Sequence, residues 1–169
     1  MKKIIIKFHI RDMGTMTAEL YPEMAPKTVD NFVSLIKADF FSGLIFHRVI
    51  KGFMIQGGGY DESFEERETA SIYGEFRANG YMQNTLKHER GVLSMARTSD
   101  PNSASSQFFI MHANAPHLDA QYAGFGKLTD GYDVLDGIAN AKTGRYGYFS
   151  DVPRSAVVIE KAEVVEEME

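Results

Sequence analysis

The alternation of apolar and polar side chains near the N-terminus predicts a β-hairpin. Apolar residues occupy every second position over residues 4–10, which is the period of a strand with one buried face. A second alternating run covers residues 16–21, and Gly14 lies between the two runs, where a turn is needed. Pro22 then ends the second strand, because proline has no N–H to donate to a sheet.

Two segments have the spacing of amphipathic helices, with apolar residues three and four positions apart. Pro26 suits the first position of the earlier helix, and residues 39–43 are expected to end it. The apolar positions of this helix are Val29, Phe32, Val33 and Ile36. A second helix is predicted after Asp130 and Gly131. Its apolar positions are Val134, Leu135 and Ile138.

Short apolar runs elsewhere predict the remaining strands of a mainly β protein. They span residues 45–50, 53–56, 91–96, 106–111, 125–128 and 156–165. We expect a long surface loop over residues 60–83, a glycine-rich loop through Pro153 and a frayed acidic end at 166–169. Many short strands with two helices indicate a closed or nearly closed antiparallel sheet capped by helices. No repeat or linker divides residues 1–169, so we expect a single domain.

The adjacent runs 45–50 and 53–56 place a cation and an amide, Arg48 and Gln56, among apolar residues. Burying such groups is costly unless their hydrogen bonds are satisfied. A two-residue loop between the runs would put Arg48 and Gln56 on opposite faces, whereas a three-residue loop ending at Phe53 would pair them. We favour the three-residue loop, because it lets the two polar groups bond to each other.

The overall composition excludes several kinds of partner. The net charge of −5 argues against nucleic-acid binding, which needs a basic surface. The absence of cysteine excludes disulfides and thiolate metal sites. The N-terminus begins like a signal peptide, but Lys7 and His9 interrupt it, and no apolar run approaches the roughly 20 residues of a membrane span. We therefore expect a cytoplasmic protein that does not bind membranes.

The residues that could carry chemistry fit few reaction classes. The five histidines lack zinc-helix spacing and an accompanying carboxylate cluster, and His47 is expected to be structural and bonded to the backbone. The serines at 103–106 lie in a turn-rich segment without a nucleophile elbow, and glycines 57–59 lack the residues of a P-loop. Two interpretations remain: an apolar groove for an extended peptide, or a core with a salt-bridged arginine. The residues concerned are Arg48, Phe53, Met54, Gln56, Gln107 and Phe109.

Four motifs resemble those of the cyclophilins, a family of peptidyl-prolyl cis–trans isomerases. They are FHRVI at 46–50, GFMIQGG at 52–58, GVLSMA at 91–96 and SQFFI at 106–110. The resemblance covers essentially the whole chain, and the segment 96–98 resembles the single-domain bacterial cytoplasmic branch. It implies a closed eight-stranded antiparallel barrel with a helix at each end. It also implies an enzyme that isomerises X–Pro bonds, assists protein folding and needs no metal or cofactor.

The resemblance also assigns the site residues. Arg48 matches the catalytic arginine, and we expect Gln56 to orient it. The residues matching the proline pocket are Phe53, Met54, Phe109 and Leu118. The groups matching those that hold the peptide are Gln56, Gln107 and the backbone of Ala96 and Arg97. Three positions depart from the common pattern: His117 replaces a tryptophan, Tyr122 a histidine and Arg97 an asparagine.

The resemblance finally implies the partners. They are proline-containing peptides and unfolded or folding proteins, bound by a monomer. Because the family's tryptophan matters for cyclosporin binding, His117 implies that this drug binds weakly. The alternative function is a non-catalytic proline-peptide binding module or chaperone on the same barrel. Retention of Arg48 favours the enzyme.

Overall fold

Ten β-strands, two α-helices and two single-turn 3₁₀ helices (Arg77–Asn79 and Pro116–Leu118) form the regular structure of residues 3–168, which are the residues that the computed structural model describes. The strands are β1 (Lys3–Ile10), β2 (Gly14–Leu20), β3 (Arg48–Ile50), β4 (Met54–Gly57), β5 (Val92–Met95), β6 (Phe108–Met111), β7 (Gly124–Asp130), β8 (Thr143–Tyr146), β9 (Phe149–Pro153) and β10 (Ile159–Met168). The helices are α1 (Pro26–Lys37) and α2 (Tyr132–Ala139). Residues 1, 2 and 169 of the predicted domain lie outside the described residues.

Eight strands form one antiparallel sheet in the order β10-β1-β2-β7-β5-β6-β4-β3. This sheet and the two helices confirm the mainly β prediction. The expected loop before Pro153 was wrong in part, because β8 and β9 pair as a separate hairpin in which Tyr146 faces Phe149 across a turn. The expected fraying was also wrong up to Met168, since β10 stays paired with β1 as far as Lys3 opposite Met168.

The outer strands β3 and β10 approach each other through the segments that precede them. The amide of Phe46 donates to the carbonyl of Val157 at 3.0 Å, and the amide of Ile159 donates to the carbonyl of Leu44 at 2.8 Å. No ladder joins β3 itself to β10 within residues 3–168. The sheet is therefore a curled half-barrel, and full closure stays a prediction.

Aromatic rings fill the core between α1 and the sheet. Phe32 of α1 is fully buried, and its ring centroid lies 4.9 Å from that of Phe125 and 5.2 Å from that of Phe108. Burying one such side chain stabilises the fold by roughly 1.5–3 kcal/mol. The periodic face predicted for α1 is the face that makes these contacts, so the helix packs on the sheet as predicted.

A carboxylate from the long connection between β4 and β5 caps the start of α1. Ala25 precedes the helix and has no polar side chain, but Glu75 accepts hydrogen bonds from the amide of Thr28 at 2.7 Å and from that of Lys27 at 3.2 Å. The predicted surface loop thus contains a residue that is only 1% exposed. The next residue, Phe76, is also buried, so this loop is anchored at its middle.

Candidate active site

The β3–β4 hairpin has the register that the three-residue loop predicts. Arg48 is opposite Gln56, and Ile50 is opposite Met54. Gly52 in the loop has a φ of 79°, a left-handed conformation that glycine adopts without strain. The Arg48 guanidinium donates to Oε1 of Gln56 at 3.3 Å, so the two polar groups do satisfy each other. However, Arg48 is exposed rather than buried, because β3 is the outermost strand and the outward face of this hairpin is open.

A pocket of about 140 Å³ lies beside this pair. Its lining residues are Arg48, Phe53, Met54, Gln56, Ala96, Arg97, Phe109, Leu118 and Tyr122. All of them are predicted site residues, and they come from four separated parts of the chain. The other two predicted residues lie next to the pocket: Gln107 bonds to Gln56, and His117 stacks on Phe53.

The floor of the pocket is apolar. Met54, Phe109 and Leu118 are buried, with exposed fractions of 2%, 5% and 9%. Phe53 forms one edge and is half-buried, and the ring of His117 stacks on it with centroids 5.7 Å apart. An apolar recess with one open side suits a small apolar ring better than it suits a charged ligand.

The polar side of the pocket is a chain of hydrogen bonds. Gln56 accepts from Arg48 through Oε1 and donates through Nε2 to Oε1 of Gln107 at 3.1 Å. Ala96 donates its N–H to the carbonyl of Gln107 at 3.0 Å, which leaves its carbonyl, not its N–H, for a bound peptide. The Arg48 side chain is therefore held by Gln56, which is in turn held by Gln107.

Arg97 forms the wall at the far end of the pocket. Its guanidinium lies between the rings of Phe76 and Tyr122, at 4.8 and 4.7 Å from their centroids. It also donates to the carbonyl of Gln121 at 2.7 Å. These contacts attach the long β4–β5 connection, through Phe76, to the pocket. The guanidinium is thus a fixed part of the wall, a role that the resemblance, which pointed to its backbone, did not predict.

A buried polar relay that sequence analysis missed lies beneath the pocket. His88 bonds through Nε2 to the hydroxyl of Ser94 at 2.8 Å and through Nδ1 to Asp119 at 3.2 Å, and its ring stacks on Phe109. The order of these groups resembles a nucleophile relay, but Ser94 is completely buried. Burial lowers the pKa of His88, although Asp119 acts in the opposite direction. The relay supports Phe109 and Tyr122 through the ring of His88, and its hydroxyl is sealed from solvent.

His47, next to Arg48, lies outside the pocket and packs edge-on against Tyr60 and Phe149. The expected bond to the backbone was wrong, since Nδ1 has no hydrogen-bond partner among residues 3–168. Nδ1 has no partner there because the ring of His47 is surrounded mainly by other aromatic rings. Burial, together with the charge of Arg48, lowers the pKa of His47 to about 4.

Neither a metal cluster nor a membrane-spanning helix occurs in the part of the chain that the structure describes. No three histidine or carboxylate side chains there are grouped closely enough to hold a metal ion. The helices of that part are also too short and too polar to cross a bilayer.

The chain is similar in sequence to cyclophilin-type isomerases. The sequence model of the family described as cyclophilin type peptidyl-prolyl cis-trans isomerase/CLD matches residues 5–164. A peptidyl-prolyl cis-trans isomerase of Acinetobacter baylyi is 46% identical over 153 residues, covering 88% of this chain and 79% of that protein. Peptidyl-prolyl cis-trans isomerase B of Escherichia coli is 38% identical over 170 residues, covering 96% of this chain and 100% of that protein.

The fold is similar as well. A crystal structure of a cyclophilin type peptidyl-prolyl cis-trans isomerase from Cryptosporidium parvum has a TM-score of 0.80 to this chain at 29% identity, and covers 97% of this chain and 98% of its own. A second structure of that protein, in the presence of the dipeptide Ala-Pro, gives a TM-score of 0.78 at 30% identity, with coverage of 96% and 99%.

The fold and the sequence together define an enzyme of the isomerase class. The chain belongs to the cyclophilin-type peptidyl-prolyl cis–trans isomerase family, and its reaction is rotation about X–Pro peptide bonds. The predicted family, enzyme class and reaction are thereby confirmed. Binding of proline-containing peptides is a property of this family, of which one relative was crystallised in the presence of Ala-Pro.

Proposed function

We propose that Arg48 is the catalytic residue and that the pocket beside it holds the proline ring. The reaction breaks no bond: it rotates an amide over a barrier of about 20 kcal/mol, which takes roughly 10–100 s unaided. Reducing this to about a millisecond requires about five decades, or on the order of 7 kcal/mol. The protein must therefore bind the twisted amide more tightly than the planar one.

The guanidinium supplies that difference. Twisting the amide ends its resonance, so that the proline nitrogen becomes a pyramidal hydrogen-bond acceptor. Arg48 donates to this nitrogen, and the bond exists only when the amide is twisted. The observation that carries the proposal is the position of Arg48, at the open rim of an apolar pocket and bonded to Gln56.

The remaining site residues hold the substrate around this bond. Phe53, Met54, Phe109 and Leu118 enclose the ring, while Gln56 orients Arg48 and is itself held by Gln107. The carbonyl of Ala96 and the wall formed by Arg97 and Tyr122 lie on the other side of the peptide. His117 supports Phe53 from outside the pocket.

The proposal extends to the setting of the enzyme. Residues 1–169 act as a single monomeric domain whose sheet closes into a barrel, and the hydrogen bonds between the segments before β3 and β10 support that closure. Unfolded and folding proteins are its substrates in the cytoplasm, which the resemblance to the cytoplasmic bacterial branch supports. Cyclosporin binds weakly, because His117 replaces the tryptophan.

A protease-coupled isomerisation assay on a proline peptide tests the role of Arg48. We expect Arg48→Ala to lower kcat/KM by about a hundredfold or more, as loss of a transition-state donor does. Arg48→Lys should also be poor, because an ammonium lacks the planar donor fork. Arg145→Ala, which removes an exposed arginine of β8, serves as the control and should match the wild type. Near wild-type kcat/KM in Arg48→Ala would show that this assignment is wrong.

A further inference from the structure

His112, directly after β6, holds the loop that carries Phe53 at two points. Its ring nitrogen Nδ1 accepts a hydrogen bond from the amide of Gly52 at 2.8 Å. Its own amide donates to the carbonyl of Phe53 at 2.9 Å. Gly52 is exposed and left-handed. The other backbone bonds at the loop are those from the amide of Phe53 to the carbonyl of Ile50 at 3.0 Å and from the amide of Ala113 to the carbonyl of Phe53 at 3.4 Å. Among residues 3–168, His112 alone therefore holds the Gly52 amide. The orientation of Phe53 at the edge of the pocket therefore depends on a residue that does not line the pocket.

The other side of the His112 ring is attached to α2. Its Nε2 lies 3.0 Å from Oδ1 of Asp136, and Arg90 holds that carboxylate with two hydrogen bonds of 2.8 and 3.0 Å. The same guanidinium donates to the carbonyl of His112 at 3.0 Å. Arg90, followed by His112, lowers the pKa of Asp136, which keeps the carboxylate charged. The ring is thus fixed between a helix and the loop.

The chemistry of the partners defines the tautomer. An amide N–H only donates, so Nδ1 facing Gly52 must carry no proton. Nε2 then carries the proton and donates it to the carboxylate of Asp136. Neutral His112 in this tautomer satisfies both neighbours.

We propose that His112 is a positioning residue for substrate binding, which holds the Gly52–Phe53 loop in the orientation that the proline pocket requires. The inference rests on the proposed role of Phe53 as part of that pocket. His112 contacts no substrate and acts through the loop alone. Because Phe53 touches the proline in the planar and in the twisted state alike, its displacement raises KM and leaves kcat nearly unchanged.

Asparagine at position 112 provides the conservative variant for this proposal. Its side-chain oxygen keeps a hydrogen-bond acceptor near the place of Nδ1, whereas alanine removes the acceptor altogether.

The test measures kcat and KM separately for three variants and for the wild type at neutral pH. His112→Ala should raise KM about tenfold, since small displacements of positioning groups have effects of this size or more. His112→Asn should restore KM to within about threefold of wild type, because its side-chain oxygen accepts the hydrogen bond from Gly52. His9→Ala is the matched control, because His9 too has both ring nitrogens hydrogen-bonded and one of them to a carboxylate, but it lies in β1.

An unchanged KM in His112→Ala, or an asparagine variant as weak as the alanine variant, overturns the proposal. If His112→Ala does not fold, KM of the asparagine variant and the exchange of its Gly52 amide hydrogen still decide.

A readout without substrate separates this inference from the proposed function. Exchange of the Gly52 amide hydrogen, followed by NMR, should be faster in His112→Ala and should return towards wild type in His112→Asn. Phe53→Ala tests the pocket itself. If Phe53→Ala binds peptide normally, the proposed role of the pocket fails, whatever the Gly52 amide shows. If Phe53→Ala binds peptide poorly but the exchange rate of the Gly52 amide hydrogen is the same in wild type and in both variants at position 112, only the inference about His112 fails.

Discussion

Phe108 and Phe109 are neighbours in β6, yet they lie on opposite faces of the sheet. The ring of Phe108 contacts those of Phe8, Phe32, Phe41 and Phe46, with centroids 5.2–5.8 Å apart. The ring of Phe109 instead contacts Tyr122 and His88, at 5.7 and 6.0 Å. One strand thus supplies a large sealed core on one face and the pocket on the other.

The difference lies in how completely each face is filled. The four rings that surround Phe108 are themselves at most 1% exposed and belong to the larger apolar cluster. Around Phe109 the apolar cluster is smaller, includes partly exposed residues and leaves a pocket of about 140 Å³. The sealed face should therefore determine stability, whereas the pocket face should determine activity. The following predictions test that separation.

The largest effect is expected from truncation on the sealed face. Phe108→Ala should lower the free energy of unfolding by about 3–5 kcal/mol, through lost burial and the cavity left behind. Phe109→Ala should lower it by less, because its side of the sheet already contains a pocket, but it should lower kcat/KM more. Urea unfolding and the isomerase assay measure the two quantities. Equal losses of stability would remove the distinction between the faces.

The dependence of stability on pH tests whether the buried aromatic surroundings of His47 disfavour its protonated form. The pKa of folded His47 is about 4, below its ordinary value of 6.5, so the unfolded chain binds the proton first as the pH falls. Stability from this residue is complete above about pH 6.5 and declines by about 3 kcal/mol towards about pH 4. His47→Phe keeps an aromatic ring and cannot titrate. Urea unfolding of both proteins over this range should show a smaller decline in the variant, and parallel curves would refute the assignment.

A smaller loss of stability is expected from a substitution of Glu75, the buried side chain that caps α1. Glu75→Gln keeps the shape of the side chain but turns one acceptor oxygen into a donor facing the start of α1. We expect a loss of about 1–3 kcal/mol in unfolding free energy, the usual penalty for a broken buried hydrogen bond. Isomerase activity should be retained, since Glu75 does not line the pocket. Unchanged stability would mean that the helix start is satisfied in another way.

The smallest effect is expected from the second amide of the pocket chain. Gln107→Leu removes the bond that holds Gln56 from behind, a contribution of about 0.5–1.5 kcal/mol. We expect kcat/KM to fall by roughly twofold to tenfold, with stability nearly unchanged. A loss as large as that of Arg48→Ala would indicate a direct role for Gln107.

The local pattern of apolar and polar residues was sufficient to predict part of the fold. The period of Val29 and Phe32 predicts α1, and counting loop residues predicts the pairing of Arg48 with Gln56. Both inferences use interactions between residues close in sequence. Part of the pocket was already a candidate apolar groove before the resemblance was considered. Its segments at 96–97 and 118–122, by contrast, follow from family resemblance, because no periodicity relates Met54 to Leu118.

What sequence did not predict involves long-range contacts of polar side chains. Glu75 caps a helix 47 residues earlier, and His112 bonds to Gly52 60 residues away. No local spacing marks such pairs, since the fold alone brings them together. The exposure of Arg48 was missed for a related reason: apolar neighbours in sequence predict burial, but the strand's position at the edge of the sheet decides it.

The pairing of Arg48 with Gln56 depends on the number of residues in the loop between β3 and β4 as well as on their identity. One residue more or fewer between Ile50 and Met54 would leave both strand sequences intact and yet turn Gln56 to the side away from Arg48. An alignment that scored only residue identity would still count every site residue as present. Along a lineage, an insertion at Gly52 could therefore abolish activity without any substitution, and relatives are best compared by the length of this loop as well as by its residues.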